Sequence, residues 1–263
     1  MLNKNTTIIK RVLEQVFFYT LIILVWQGIY YLGVSVFGFW KSYAFPSPLG
    51  VWSSLVRLIN QNALFFAIYY SLRRAFIGYF IAVLIGIIPG LLMAKFKPVM
   101  RTFGPLILGV QTLPSICWVP FAILWFGLNE NAIIFVIIMG SALSIAISVD
   151  GAIRGVNPIY IKAAKTMGTK GLKLYLKVIL PASLPALISG LKQGWSFAWR
   201  SLMAGEVMSA SIGLGQALTM GRDLADINRV MLIIVIIVII GVIIEKLIFT
   251  TIEIKVAKRL GFT

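Results

Sequence analysis

A chain with no histidine and a single cysteine, Cys117, has few routes to covalent or metal chemistry. Without an imidazole there is no Ser-His or Cys-His dyad, no HExxH zinc site and no histidine proton relay. One thiol can neither close a disulfide within the chain nor build a cysteine metal cluster. The nearest approach to a nucleophile motif, Gly194-Trp195-Ser196-Phe197-Ala198, departs from GxSxG at its last position and offers no base to activate Ser196. What remains is charge placed where charge is costly. Lys192, Arg200 and Glu206 interrupt an apolar run, and around a helix Glu206 falls about 40° and Arg200 about 80° from Lys192. One broad face would hold all three. Such a face can line a route for an anion that Lys192 and Arg200 attract, or it can serve snorkelling helix ends and a structural ion pair. Gln111, Ser115, Ser141, Ser144 and Ser196 join it as candidate polar lining, although small hydroxyl residues in membrane helices more often serve close packing.

The elements that must position these residues are read from composition. Of 263 residues 60% are hydrophobic and 12% charged, and the mean hydropathy is +0.97. That is more apolar surface than a soluble domain of this size buries, so the chain belongs in a bilayer. Apolar stretches predict an all-α membrane protein with about six spans, at 16–36, 71–94, 105–127, 132–150, 182–208 and 230–253. The run from Phe17 to Val34 is too long for a cleaved signal and reads as a retained anchor. Pro105, Pro114 and Pro120 predict a kinked or broken third span.

Lys+Arg number 24 against 8 Asp+Glu. The excess lies between spans rather than in one nucleic-acid-binding face, so it sets topology. Lys4, Lys10 and Arg11, then Lys95, Lys97 and Arg101, and finally Lys255, Lys258 and Arg259 mark one side, together with the acid-free segment 151–181. Both termini are thus expected in the cytoplasm. An amphipathic stretch, Leu49 to Ile59, follows Phe45-Pro46-Ser47-Pro48 on the outer side, where Arg73 and Arg74 are expected to snorkel from a helix end. There is no GxxxxGK[ST] phosphate loop, so any ATP that drives the protein is hydrolysed by another chain.

Within 151–181 the segment Pro158 to Gly168 predicts a short helix: Ala163 and Ala164 favour close packing, Gly168 stops it, and Pro181 suits the first turn of the next span. If the helix ran unbroken, Lys162, Lys165, Lys170, Lys173 and Lys177 would share an arc of about 140°; the glycines at 168 and 171 argue against that. Read alone, the lysines fit a solvated basic loop.

The spacing Ala163-Ala164, three residues, Gly168, nine residues, then Val178-Ile179-Leu180-Pro181 resembles the EAA loop of ABC importer permeases, with Lys162 in place of the glutamate and Val178 in place of isoleucine. Ser71-Leu72-Arg73-Arg74, Leu113-Pro114-Ser115, Leu124-Trp125-Phe126-Gly127, Ala204-Gly205-Glu206 and Gly213-Leu214-Gly215 extend the resemblance over about residues 45–260, toward importers of nitrate, sulfonates, taurine and bicarbonate. The resemblance implies a single permease domain over 1–263 with a type I, MetI-like fold, multi-pass in a bacterial plasma (inner) membrane. It implies coupling to the ATPase through Pro158, Lys162, Ala163, Ala164, Met167, Gly168, Leu180 and Pro181. Its implied partners are two ATP-binding-cassette ATPase subunits, an extracytoplasmic solute-binding protein and a second permease subunit, usually a second copy. No cofactor and no catalysis by this chain are implied. The alternative that six spans and buried charges leave open is a stand-alone secondary transporter or channel.

Overall fold

The computed structural model describes the backbone of residues 2–259. Met1 and residues 260–263 lie outside the described residues, as do the side chains of Lys4, Arg11 and Arg259 counted above. Among the described residues there is no strand. In chain order the helices are α1 (Leu2–Tyr30), α2 (Pro48–Asn60), α3 (Ala63–Lys95), α4 (Lys97–Gln111), α5 (Val119–Phe126) and α6 (Glu130–Arg154). Then follow α7 (Pro158–Thr166), α8 (Gly171–Leu174), α9 (Leu180–Val207), α10 (Leu214–Asp223), α11 (Ile227–Ile244) and α12 (Thr251–Arg259). Wide π-helical turns extend α1 over Tyr31–Val36, join α8 to α9 over Tyr175–Ile179 and join α11 to α12 over Glu245–Thr250.

Five runs are long and apolar enough to cross a bilayer: Leu13–Val36, Ala63–Lys95, Glu130–Arg154, Gly171–Val207 and Ile227–Lys258. The expected third span is a broken one, since α4 and the helical run Ser115–Phe126 meet at 96° and make a sixth crossing only if taken as one. Proline chemistry accounts for the break. Pro114 is extended, at φ −56° and ψ 138°, whereas Pro120 sits in the first turn of α5, where its missing N–H has no helical partner to lose. The fifth span also begins earlier than expected, at Gly171 rather than 182. Pro181 lies in the first turn of α9, as expected, but a π turn just before it joins α9 to α8, and Leu180 N donates to Tyr175 O.

The contacts divide the chain into two compact units, one of residues up to Phe65 with Ala217–Ile236, the other of Phe66–Gln216 with residues from Ile237 onward. In the first, Ser47 caps α2 by accepting from Gly50 N at 3.0 Å, and its own N–H donates to Asn228 Oδ1 at 2.9 Å. Arg57 pairs with Asp226 in the same unit. In the second, α6 and α9 lie side by side through small residues. A Cβ placed on Gly194 would stand 2.5 Å from Ile145 Cγ1, and one on Gly190 2.5 Å from Ser148 Cβ. Ser141, Ser144 and Ser201 are buried here, which is the packing use of hydroxyl residues. Tyr79 Oη donates to Leu191 O at 2.8 Å, and its ring meets Trp195 and Phe249 edge-on.

Candidate functional site

The helix α7 is specified at both ends by local chemistry. Asn157 Oδ1 accepts from Ile159 N at 3.0 Å and Pro158 occupies the first turn. At the other end Gly168 adopts φ +80°, and Thr169 N donates to Ala164 O at 2.9 Å, closing the helix as only an αL residue permits. Ala164 is buried, whereas Lys162, Ala163, Lys165, Met167 and Gly168 are exposed. Ile159 and Tyr160 are exposed too, and Met167 is 84% accessible. The unbroken arc of five lysines does not form. Gly168 and Gly171, at φ +80° and +60°, separate Lys162 and Lys165 on α7 from Lys173 and Lys177 beyond the link.

The three charges of the fifth span do not meet. Lys192 Nζ pairs with Glu245 Oε1 at 3.1 Å. Glu206 is fully enclosed, accepting from Ser71, Arg74 and the Gly215 backbone. Arg200 is exposed: its Nε donates to Ser196 O one turn back at 3.1 Å, and its guanidinium lies 4.6 Å from the Phe197 ring centroid. No carboxylate among the described residues pairs with it. The angular argument fails on height, because fourteen residues of helix rise about 21 Å and so carry one face past different neighbours.

Three expected path residues do come together. Gln111, Ser115 and Arg200 line a cavity of about 310 Å³ with Trp118, Gly140 and Ser201, beside the break between α4 and α5. Gln111 Oε1 is buried and has no hydrogen-bond partner among the described residues. On its other side Arg200 borders a second cavity, also of about 310 Å³, with Ser196, Trp195, Trp199, Gly241 and Glu245. Lys192 and Glu206 line neither.

Arg74 overturns the snorkelling expectation. It is 2% exposed, and its Nη1 donates to Glu206 Oε1 at 2.9 Å and to Ile212 O at 2.7 Å, while Nη2 donates to Glu130 Oε1 at 2.8 Å. Arg73 stays exposed and reaches Glu130 only at 3.5 Å. Ser71, Arg74 and Glu130 were no part of the expected site. Their sequence signal was the arginine pair in an otherwise apolar span, whose partners stand 56 and 132 positions away.

Comparison with known proteins adds the following. Residues 82–258 match the family model described as binding-protein-dependent transport system inner membrane component. A Methanocaldococcus jannaschii protein named as an ABC transporter permease is 33% identical over 177 residues, 67% of this chain and 66% of that protein. A Bacillus subtilis protein named as the aliphatic sulfonates transport permease SsuC is 30% identical over 220 residues, 84% of this chain and 78% of that one. The inward-facing MetNI methionine ABC transporter gives a TM-score of 0.63 at 22% identity, over 74% of this chain and 96% of that one, a likeness of fold.

Proposed function

Since the chain belongs to the binding-protein-dependent transport system inner membrane components, we propose that it carries a small oxyanion past Arg200 by alternating access, as half of an ATP-driven importer. It is a multi-pass inner-membrane permease subunit and not itself the ATPase; its family works with a separate ATPase and a solute-binding protein.

The observation that carries the anion reading is the charge of the cavity. Arg200 is the one charged side chain among the described residues that line it, and Glu245, which lines the second cavity with Arg200, is tied to Lys192. An unpaired charge at membrane depth costs several kcal/mol, so a guanidinium left free there is set toward an anionic ligand. At 4 Å and an effective dielectric of about 20 the attraction reaches roughly 4 kcal/mol. Ser115 and Ser201 add hydroxyl groups to the same wall. A relative named for aliphatic sulfonates supports a sulfonate, and the importers that the motifs resemble extend the class to taurine, nitrate and bicarbonate.

Coupling falls to α7. Its caps make it a self-standing helix, and its exposed Ile159, Tyr160 and Met167 give the ATPase an apolar row to grip. In this reading the whole chain is one permease domain with its coupling element within 151–181, both termini and α7 face the cytoplasm, and two copies assemble with two ATPases. Leu180 and Pro181 sit beyond the π turn, at the start of α9.

The test is purification in mild detergent of the tagged chain, expressed from its native gene neighbourhood, with mass identification of what co-purifies. A Walker-motif ATPase is expected with the native chain and is expected to vanish when residues 157–171 are scrambled. A native chain that emerges alone, folded and transport-competent would refute the importer.

A further inference from the structure

We propose that Ser71, Arg74 and Glu206 are positioning residues of transport: they latch segment 212–215, the end of a loop and the start of α10, onto α3 and α9, so that a force on that loop reaches the segment of α9 carrying Arg200. The inference rests on the importer reading and on the orientation above, which places this loop outside.

The latch is a closed set of hydrogen bonds. Glu206, 0% exposed, accepts from Ser71 Oγ at 2.7 Å, Arg74 Nη1 at 2.9 Å and Gly215 N at 2.9 Å. Ser71 Oγ in turn accepts from Leu214 N at 2.8 Å, and Arg74 Nη1 donates to Ile212 O at 2.7 Å. Through Glu130 the same guanidinium also holds the first turn of α6. The backbone must come close for this to work. A Cβ on Gly213 would fall on the Glu206 carboxylate, and one on Gly215 would stand 2.5 Å from Glu206 Cβ.

Stability alone does not call for this arrangement. Apolar residues of similar volume hold a helix end as well as a buried ion pair does, and what such a pair adds is one fixed geometry. Here the fixed geometry joins the backbone of the outer loop to the last turn of α9. Arg200 lies six residues before Glu206 on that helix, about 9 Å along its axis. A shift of the loop is therefore carried to the cavity wall by a rigid element.

The test uses the complete complex of permease, ATPase and binding protein in lipid nanodiscs, with Ser71→Ala and Glu206→Gln in the permease. Ser71→Ala leaves the ion pair in place and so guards against simple loss of folding. Deuterium uptake at the Leu214 and Gly215 amides is expected to quicken about tenfold or more in both variants, as a hydrogen bond of this kind is lost. Basal ATPase activity is expected to hold, while its stimulation by the binding protein falls about fivefold or more, the scale of an ordinary coupling between sites. Unchanged stimulation, or basal and stimulated rates falling in parallel, would overturn the proposal, the second because a purely structural role lowers both. The unsubstituted complex is read first: if no ATPase joins it, the proposed function fails on its own account.

Discussion

Removing Arg74 should cost more than removing Glu206, and removing both should cost far less than the sum. In Arg74→Met the Glu206 carboxylate stays fully buried with only Ser71 Oγ and Gly215 N to answer it, and Ile212 O loses the Arg74 Nη1 bond. A buried pair broken in this way costs about 3–5 kcal/mol. In Glu206→Met the guanidinium keeps Glu130 at 2.8 Å and Ile212 O at 2.7 Å, so no charge is stranded. The cost is then about 2–3 kcal/mol, for hydrogen bonds to a charged group and for the unanswered Gly215 N–H. The double variant buries no lone charge at this point and should lose about 4 kcal/mol, leaving a coupling of about 1–4 kcal/mol between the two sites. Unfolding by sodium dodecyl sulfate in mixed micelles, followed by circular dichroism and extrapolated linearly, measures all four proteins on one scale. A coupling below about 0.5 kcal/mol would refute the reasoning, since sites that do not interact add to within that margin. So would a Glu206→Met variant less stable than Arg74→Met.

Arg200→Gln should lower solute uptake by the reconstituted importer about tenfold or more with basal ATPase activity retained, because it removes the roughly 4 kcal/mol attraction without touching the α6 contact; equal uptake by the two proteins would exclude Arg200 from the path. Gly194→Ala should cost about 1–3 kcal/mol by overpacking against Ile145 Cγ1, read in the same micelle titration. Gly168→Ala forces a Cβ into the αL region at about 1–2 kcal/mol and should weaken ATPase co-purification, with Gly168→Asn weakening it less. In a Cys117→Ser background, a cysteine at Ser211 should react with an impermeant maleimide in intact cells and one at Lys165 only after permeabilisation; the reverse pattern would invert the topology.

The helices were legible because hydrophobic length is a direct consequence of bilayer thickness, and α7 was legible because its stop and start are written in single residues, Pro158 and Gly168. The start of the fifth span was not. Leu172, Lys173, Leu174 and Lys177 are good helix formers whose charges made the stretch read as loop, and only the structure shows the helix running from Gly171 through the π turn to Val207. The sharpness of the break between α4 and α5 was also hidden: Pro114 predicts that a helix ends there, but not that the next one leaves at 96°. The latch was invisible for a different reason. Ser71, Arg74, Glu130 and Glu206 come from three helices, and no periodicity within one helix reports which of its polar residues will be answered from another.

Acid scarcity makes an arginine left without a carboxylate inside a candidate span informative. The chain has eight carboxylates, and in the second unit Glu130, Asp150, Glu206 and Glu245 answer Arg73, Arg74, Arg154 and Lys192. Burial makes the pairing of Arg74 with Glu206 nearly compulsory, since a charge stranded there costs more than any single packing contact returns. Arg200 stands outside the scheme on the same helix as two of the paired residues, with its guanidinium bordering two cavities. Under the proposed function, a charge that the fold pairs with no carboxylate inside a candidate span is placed for an anion that arrives from elsewhere. Lys192 shows the contrast: eight residues away on α9, with a flexible ammonium, it is tied to Glu245 at 3.1 Å and lines neither cavity. In the proposed importer, selection for an anion would fall to the planar guanidinium, which suits two-point recognition of an oxyanion better than an ammonium does.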